Sequence, residues 1–269
     1  MFSVQIMSMT STELRKPVVA VQRAVQIMRF LGATQHPAGV NEVARALGIV
    51  PSTCLHILKT LDHDGLVSED KANKKYQLGP AILRFARDMV GSNEFVRNVQ
   101  GVLDRIAQRH EVTTVAVWQE GMDRIVVVAK ANAPTNFSIN VNIGSRFPVL
   151  TSAIGHCFAA NIEGNPEHLR EAFEELKWQD PPLFTDWVKD IAFAREHGYA
   201  VDKGHHIRGV TVVAAPVYAS VDGTTRAIAG VGLFEQLTGA AKTALAVDLK
   251  TSAAALSEIY SESIIRRTV

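Results

Sequence analysis

Residues 41–78 hold two short amphipathic stretches on either side of a glycine turn, followed at once by a lysine-tipped hairpin, and few folds accommodate that order. Asn41 can cap a helix whose inward side is Val40, Val43, Ala44 and Leu47, and Gly48 ends it. Ser52 and Thr53 open the next helix, with Leu55, Leu58 and Leu61 inward and Ser52, His56, Lys59 and His63 along the opposite stripe. Two helices joined by so tight a turn predict a helix-turn-helix. A helix narrow enough for the major groove, with short polar groups at its start and longer donors one and two turns on, has what reading base edges requires. Ahead of it, from Val18, another helix sets Val21, Val25, Met28 and Leu31 on one face and Gln22, Arg23, Gln26 and Arg29 on the other, with Gly32 as its stop. Behind it, residues 66–69 and 75–78 read as strands around Asp70, Lys71, Ala72 and Asn73. Lys71, Lys74 and Lys75 crowd the tip, where lysines either guard a sheet edge or, beside a polar-faced helix, form a wing that reaches backbone phosphates.

The rest of the chain is too long to belong to that small body. With 269 residues, 47% of them hydrophobic, two domains are expected. The net charge is only +1, but residues 1–90 carry 11 Lys+Arg against 7 Asp+Glu, so the front is the basic end. Cys54 and Cys157, with no second pair, fit neither a disulfide framework nor a cysteine-rich zinc site. No export signal or membrane-length apolar run is read, so a cytoplasmic protein is expected, with residues 1–16 as a loose arm.

Four parts are therefore expected: an arm over 1–16, a winged helix-turn-helix over 17–79, a helical linker over 80–110 and a second domain over 111–269. The linker carries Ile82, Leu83, Phe85, Val96, Val99 and Leu103, with a break at Gly91, Ser92 and Asn93. That is too apolar for a free tether, so packing against a second copy, as a dimer or tetramer, is expected. Beyond it, strands are expected over 112–119, 124–131, 137–141, 210–219 and 227–234, the last pair around an Asp222-Gly223 turn. Helices are expected over 151–160, 167–176, 187–197 and 240–260. Hairpins outnumber β-α-β crossovers, which predicts an α+β protein whose second domain is a GAF-like antiparallel sheet flanked by helices.

Residues 18–87 resemble the DNA-binding domain of the IclR family of transcription regulators, carried by "AVQRAVQIMRFL", "VNEVARALGI", "VPSTCLHILKTLDHDGLV" and "KYQLGPAIL". "GSRFPVLTSAIGHCFAA" and "AREHGYAVDKGHHIRGVTVVAAPV" are similar to the effector domain of the same family, so the resemblance runs from about Val18 through nearly the whole chain. It implies an effector-responsive regulator with Arg23, Ser52, Thr53, His56, Lys59, Lys71, Asn73, Lys74 and Lys75 on operator DNA. His56 stands where the family often has Arg. The family holds a small carboxylate by backbone N–H groups at the positions of Ala153 and Ile154, an Asp at Asp202, a side chain at Val212 and small polar residues at Gly230 and Gly232. A glycine- and proline-bearing loop entering the helix at Thr151 offers free N–H groups at a positive helix end, although simple capping by Thr151 or Ser152 is the more common meaning of Ser or Thr there. With Phe147 as an aromatic wall, Val210 beside Val212, and glycine in place of two polar residues, the resemblance implies a roomier pocket and an aromatic or similarly large organic acid. No cofactor is expected.

The alternative is a metal-binding or hydrolytic enzyme using His156, Asp202, His205 and His206, with Ser152 or Cys157 as nucleophile. Adjacent His156 and Cys157 diverge by about 100° on a helix, and Ser152 lacks an evident acid partner. Adjacent histidines without fixed ligand spacing do not define a zinc site either. A non-enzymatic regulator is the expectation.

Overall fold

The computed structural model describes residues 17–267 apart from 35, 93, 122, 134–140, 163 and 220–222. The arm expected over 1–16, most of the strand expected over 137–141, Asn93 of the expected break and Asp222 of the expected turn lie outside the described residues. The chain divides into two compact units, Met1–Ser92 and Asn93–Val269. Among the described residues no helix is long and apolar enough to cross a membrane.

In the first unit, α1 (Val19–Ala33), α2 (Val40–Leu47) and α3 (Pro51–His63) close on a core of Ile27, Leu31, Val43, Ala44, Leu58 and Leu61. The inward face of α1 is set by Ala24, Ile27, Met28 and Leu31 rather than by Val21, which is exposed. Spacing i, i+3, i+4, i+7 from Ala24 puts the larger Ile27 at the centre, and that burial decides the rotation. Gly32 does not stop this helix. Its missing side chain admits Leu78, whose Cδ1 would stand 3.3 Å from a Cβ there, and the helix ends at Thr34, whose hydroxyl donates to the Leu31 carbonyl at 3.1 Å. Nor does Asn41 cap α2. The chain enters through Gly39, whose N–H donates to Glu42 Oε2 at 3.4 Å, and leaves through Gly48 at φ 63°.

Ser52 and Thr53 lie inside the first turn of α3, because Val50 precedes the helix and Pro51 occupies its first position. Cys54, Leu58 and Leu61 face inward and Leu55 is half-buried. Strands β2 (Val67–Asp70) and β3 (Lys75–Leu78) pair with Asp70 opposite Lys75, and β1 (Ala38–Gly39) adds a third, antiparallel strand against Tyr76 and Lys75. The turn of the wing is made by Asp70, which accepts from Ala72 N–H at 2.9 Å and Asn73 Nδ2 at 2.7 Å, and by Lys74 at φ 52°. Helix α4 (Ala81–Ser92) follows, exposing Leu83, Phe85 and Met89.

The second unit opens with α5 (Glu94–His110) and is built on a six-stranded antiparallel sheet of order β6-β5-β4-β9-β8-β7. Its strands are β4 (Thr113–Glu120), β5 (Arg124–Ala131), β6 (Arg146–Pro148), β7 (Ala200–Asp202), β8 (Val210–Ala219) and β9 (Gly223–Leu233). One face is covered by α5 and the long α9 (Gly239–Arg267), the other by α6 (Ser152–Ala159) and α8 (Phe184–His197). The helix expected over 167–176 is instead a 3-10 turn, Pro166–Leu169, and a short α7 (Arg170–Glu174). Of the apolar linker residues, Val96, Val99 and Leu103 are not available to a second copy: α5 buries them, with Phe95 and Ile106, in this unit's own core.

Candidate functional site

On the first unit the polar stripe of α3 faces solvent. Ser52, His56, Lys59 and His63 are exposed, Thr53 is half-buried, and Lys71, Asn73, Lys74 and Lys75 are exposed in the wing. Arg23 is half-buried on α1. Helix and wing are locked together from beneath. Glu69 N–H donates to Asp62 Oδ1 at 3.0 Å, and the buried Tyr76 hydroxyl, pushed up to about 12 by burial and then by its hydrogen bond to Glu69, stays protonated. Asn73 is committed to the turn, its side-chain amide donating to Asp70 Oδ2, and the exposed cations of the wing are Lys71, Lys74 and Lys75.

In the second unit a cleft opens between the sheet and the start of α6, with about 610 Å³ of empty space, part of it open to solvent. Its walls are chiefly aliphatic: Val115, Val117, Ile125, Val127, Val141, Ile207 and Val231 join Phe147, Ile154, Val210 and Val212. Thr151, Ser152, Asp202 and His206 supply the polar groups. The first N–H to close a helical bond in α6 is that of Gly155, onto the Thr151 carbonyl at 2.9 Å, so those of Ser152, Ala153 and Ile154 precede the ladder. Neither reading of the capping holds: Thr151 makes no side-chain cap, and Ser152 Oγ has no partner among the described residues. Ser152 also adopts φ 59°, the left-handed region that a side chain disfavours, and such strain persists where surrounding structure enforces it.

Asp202 is buried at the end of β7, where its two oxygens accept from His205 N–H at 2.9 Å and His206 N–H at 3.4 Å. These bonds fold the 203–206 loop so that the His206 ring reaches the cleft, while His205 Nδ1 turns to the Asp180 carbonyl at 3.0 Å. Burial lowers the His206 pKa, against the opposing pull of Asp202.

Gly230 and Gly232 are not in the cleft. A Cβ at Gly230 would stand 2.9 Å from Leu245 Cδ2 and one at Gly232 2.9 Å from Leu237 Cδ1, both on the face covered by α9. Alternate residues of a strand face opposite sides, and it is Val231 between them that lines the site. Gly230 therefore lets α9 approach the sheet and Gly232 makes room for Leu237 ahead of that helix, and neither enlarges the pocket. Ile207 and the sheet residues Val115, Val117, Ile125, Val127 and Val231 are lining residues that sequence reasoning missed; the loop around Gly204 and Gly209 gave no periodicity from which to place Ile207.

The enzymatic alternative is not supported by this geometry. Among the described residues no group of three or more His, Cys, Asp or Glu can hold a metal ion. His156 makes no hydrogen bond to Ser152, and burial pushes the Cys157 thiol up to about 12, which leaves it inert at neutral pH.

Comparison with known proteins agrees with both halves. The family model for the IclR helix-turn-helix domain matches residues 20–71, and that for the C-terminal domain of bacterial IclR transcriptional regulators matches residues 88–258. The HTH-type transcriptional regulator XynR of Escherichia coli is 27% identical over 206 residues, which is 75% of this chain and 81% of that one. A crystal structure of an IclR-type regulator from Alicyclobacillus acidocaldarius superposes with TM-score 0.78 at 27% identity, covering 91% of this chain and 99% of the other. An IclR homologue from Microbacterium hydrocarbonoxydans, solved with 4-hydroxybenzoate, superposes with TM-score 0.73 over 89% and 98% of the two chains; at 16% identity this shows a shared fold.

Proposed function

Because the chain belongs to the IclR family of transcription regulators, we propose that it binds its operator through α3 and the wing and responds to an organic acid with a sizeable apolar, aromatic body. It is a regulator and not an enzyme, as its relatives are named. The observation that carries the effector reading is the start of α6, where the N–H groups of Ser152, Ala153 and Ile154 precede the helical ladder and Ser152 is strained, opening onto an aliphatic cleft. The helix end meets a carboxylate, and Phe147 with the valine and isoleucine walls favours a ring over a two- or three-carbon acid. The neighbour solved with 4-hydroxybenzoate makes that acid a natural member of the test set.

In a thermal-shift series of benzoate, 4-hydroxybenzoate, pyruvate and glyoxylate, at least one aromatic acid at about a hundred times its Kd is expected to raise Tm by roughly 5 °C or more. A larger shift with pyruvate or glyoxylate than with either ring would sink the aromatic assignment.

On DNA, Ser52, Thr53, His56 and Lys59 are proposed to face bases or adjacent phosphates, Lys71, Lys74 and Lys75 the backbone, and Arg23 a flanking phosphate. The exposed Leu83, Phe85 and Met89 on α4 favour a dimer, which matches a pseudo-palindromic operator. Three variants separate these roles in operator binding. His56→Ala changes base preference by about 1–3 kcal/mol at one position, whereas Lys74→Ala weakens every site alike and flattens the salt slope by about one. Phe85→Glu sediments as a monomer and loses operator affinity. Binding, salt slope and mass unchanged in all three would remove the interface as drawn.

A further inference from the structure

Ser152 Oγ, both ring nitrogens of His156 and Trp187 Nε1 are buried with no hydrogen-bond partner among the described residues. Their side chains adjoin in pairs. Ser152 and His156 lie one turn apart on α6, and the His156 and Trp187 rings meet edge to face with centroids 6.1 Å apart. His156 is 2% exposed and Trp187 fully buried, so bulk solvent does not reach them. Such groups left dry are costly, and buried polar atoms are instead bridged by internal water with two to four partners. The stoichiometry suits water: Trp187 donates, a neutral imidazole donates once and accepts once, and the Ser152 hydroxyl does both. Asp202 and His205 are the charged or titratable groups that act on His156, and burial keeps the imidazole neutral, with its pKa pushed down to about 4. Of the three side chains only Ser152 also faces the cleft.

We propose that Ser152, His156 and Trp187 enclose bound water behind the first turn of α6, and that His156 is a positioning residue of the effector cleft. Through that water His156 aims the Ser152 hydroxyl at the effector carboxylate. This second half rests on the organic-acid reading given above.

The test compares full-length wild type, His156→Leu and His156→Gln, with benzoate as the probe. Gln keeps one donor and one acceptor at similar reach; Leu keeps the volume and neither. Without benzoate, His156→Leu is expected to melt several degrees below wild type and His156→Gln to recover most of the loss. With benzoate, Leu is expected to bind about tenfold more weakly and Gln within about threefold of wild type. A Leu variant as stable as wild type, or more so, overturns the hydrated chamber, and a Leu variant that binds benzoate normally overturns the positioning role. If neither benzoate nor 4-hydroxybenzoate moves wild type while the stability order holds, the aromatic-acid reading and the positioning role fall and the chamber stands. Should His156→Leu not fold, NMR of wild type decides: a cross-peak between the Trp187 indole proton and a long-lived water upholds the chamber, and its absence overturns it.

Discussion

Gly155→Ala is expected to cost the second unit more than about 3 kcal/mol and to abolish its response to any acid. An added Cβ would stand 2.0 Å from Leu150 C, 2.2 Å from Leu150 O and 2.6 Å from Leu150 Cα. All three are backbone atoms, so no rotamer change relieves the clash. Every residue of α6 is buried, which leaves the helix no room to slide outward, and its displacement would carry away the N–H groups of Ser152, Ala153 and Ile154. Gly101→Ala is the control. It sits in α5 with nothing within 4 Å of the added carbon, and there the better helix propensity of alanine should add up to about 1 kcal/mol. Urea denaturation followed by far-UV circular dichroism measures both, and a wild-type midpoint for Gly155→Ala would mean that α6 does not rest on Leu150 as described.

The elements that the sequence made legible are those whose periodicity and chemistry agree. In α3 a 3.6-residue spacing separates Leu58 and Leu61 from Ser52, His56 and Lys59, and the wing announces itself by lysines between two short alternating runs. The antiparallel sheet follows from turn signals between strands. What failed was the choice between two faces when both are buried. In β9, Ile228, Gly230 and Gly232 turn toward α9 while Ala227, Ala229 and Val231 turn toward α6, and the apolar run 227–233 gives no polar side to mark the difference. The same ambiguity made the apolar stripe of α5 read as a surface for a second copy, when it is this unit's own core. In α1, Val21 is as apolar as its neighbours, yet packing selects the adjacent stripe centred on Ile27. A two-residue strand such as Ala38–Gly39 is too short to carry any periodicity.

Acidification from pH 6.5 to pH 4 is expected to remove about 3 kcal/mol of stability through His156 alone. Burial is the dominant cause: it holds the folded imidazole near 4, with His205 adding to the effect and the Asp202 carboxylate opposing it, whereas the unfolded group titrates at 6.5. The sign follows from which state binds the proton more readily. Above pH 6.5 neither state is protonated and nothing is lost; as pH falls through the window the unfolded chain takes up the proton first, and the native state is penalised until it too is protonated near pH 4. Asp248 acts in a lower window. Its own burial raises its pKa, but hydrogen bonds from Arg105 and His110 outweigh that and hold it below the ordinary carboxylate value of 3.8, so its contribution is present at neutral pH and fades only in stronger acid. Urea denaturation of wild type and His156→Gln at intervals from pH 7 down to about pH 2 separates the two, because the variant should lose the upper window and keep the lower one below pH 4. Equal slopes for both proteins between pH 6.5 and pH 4 would show that His156 is not held neutral.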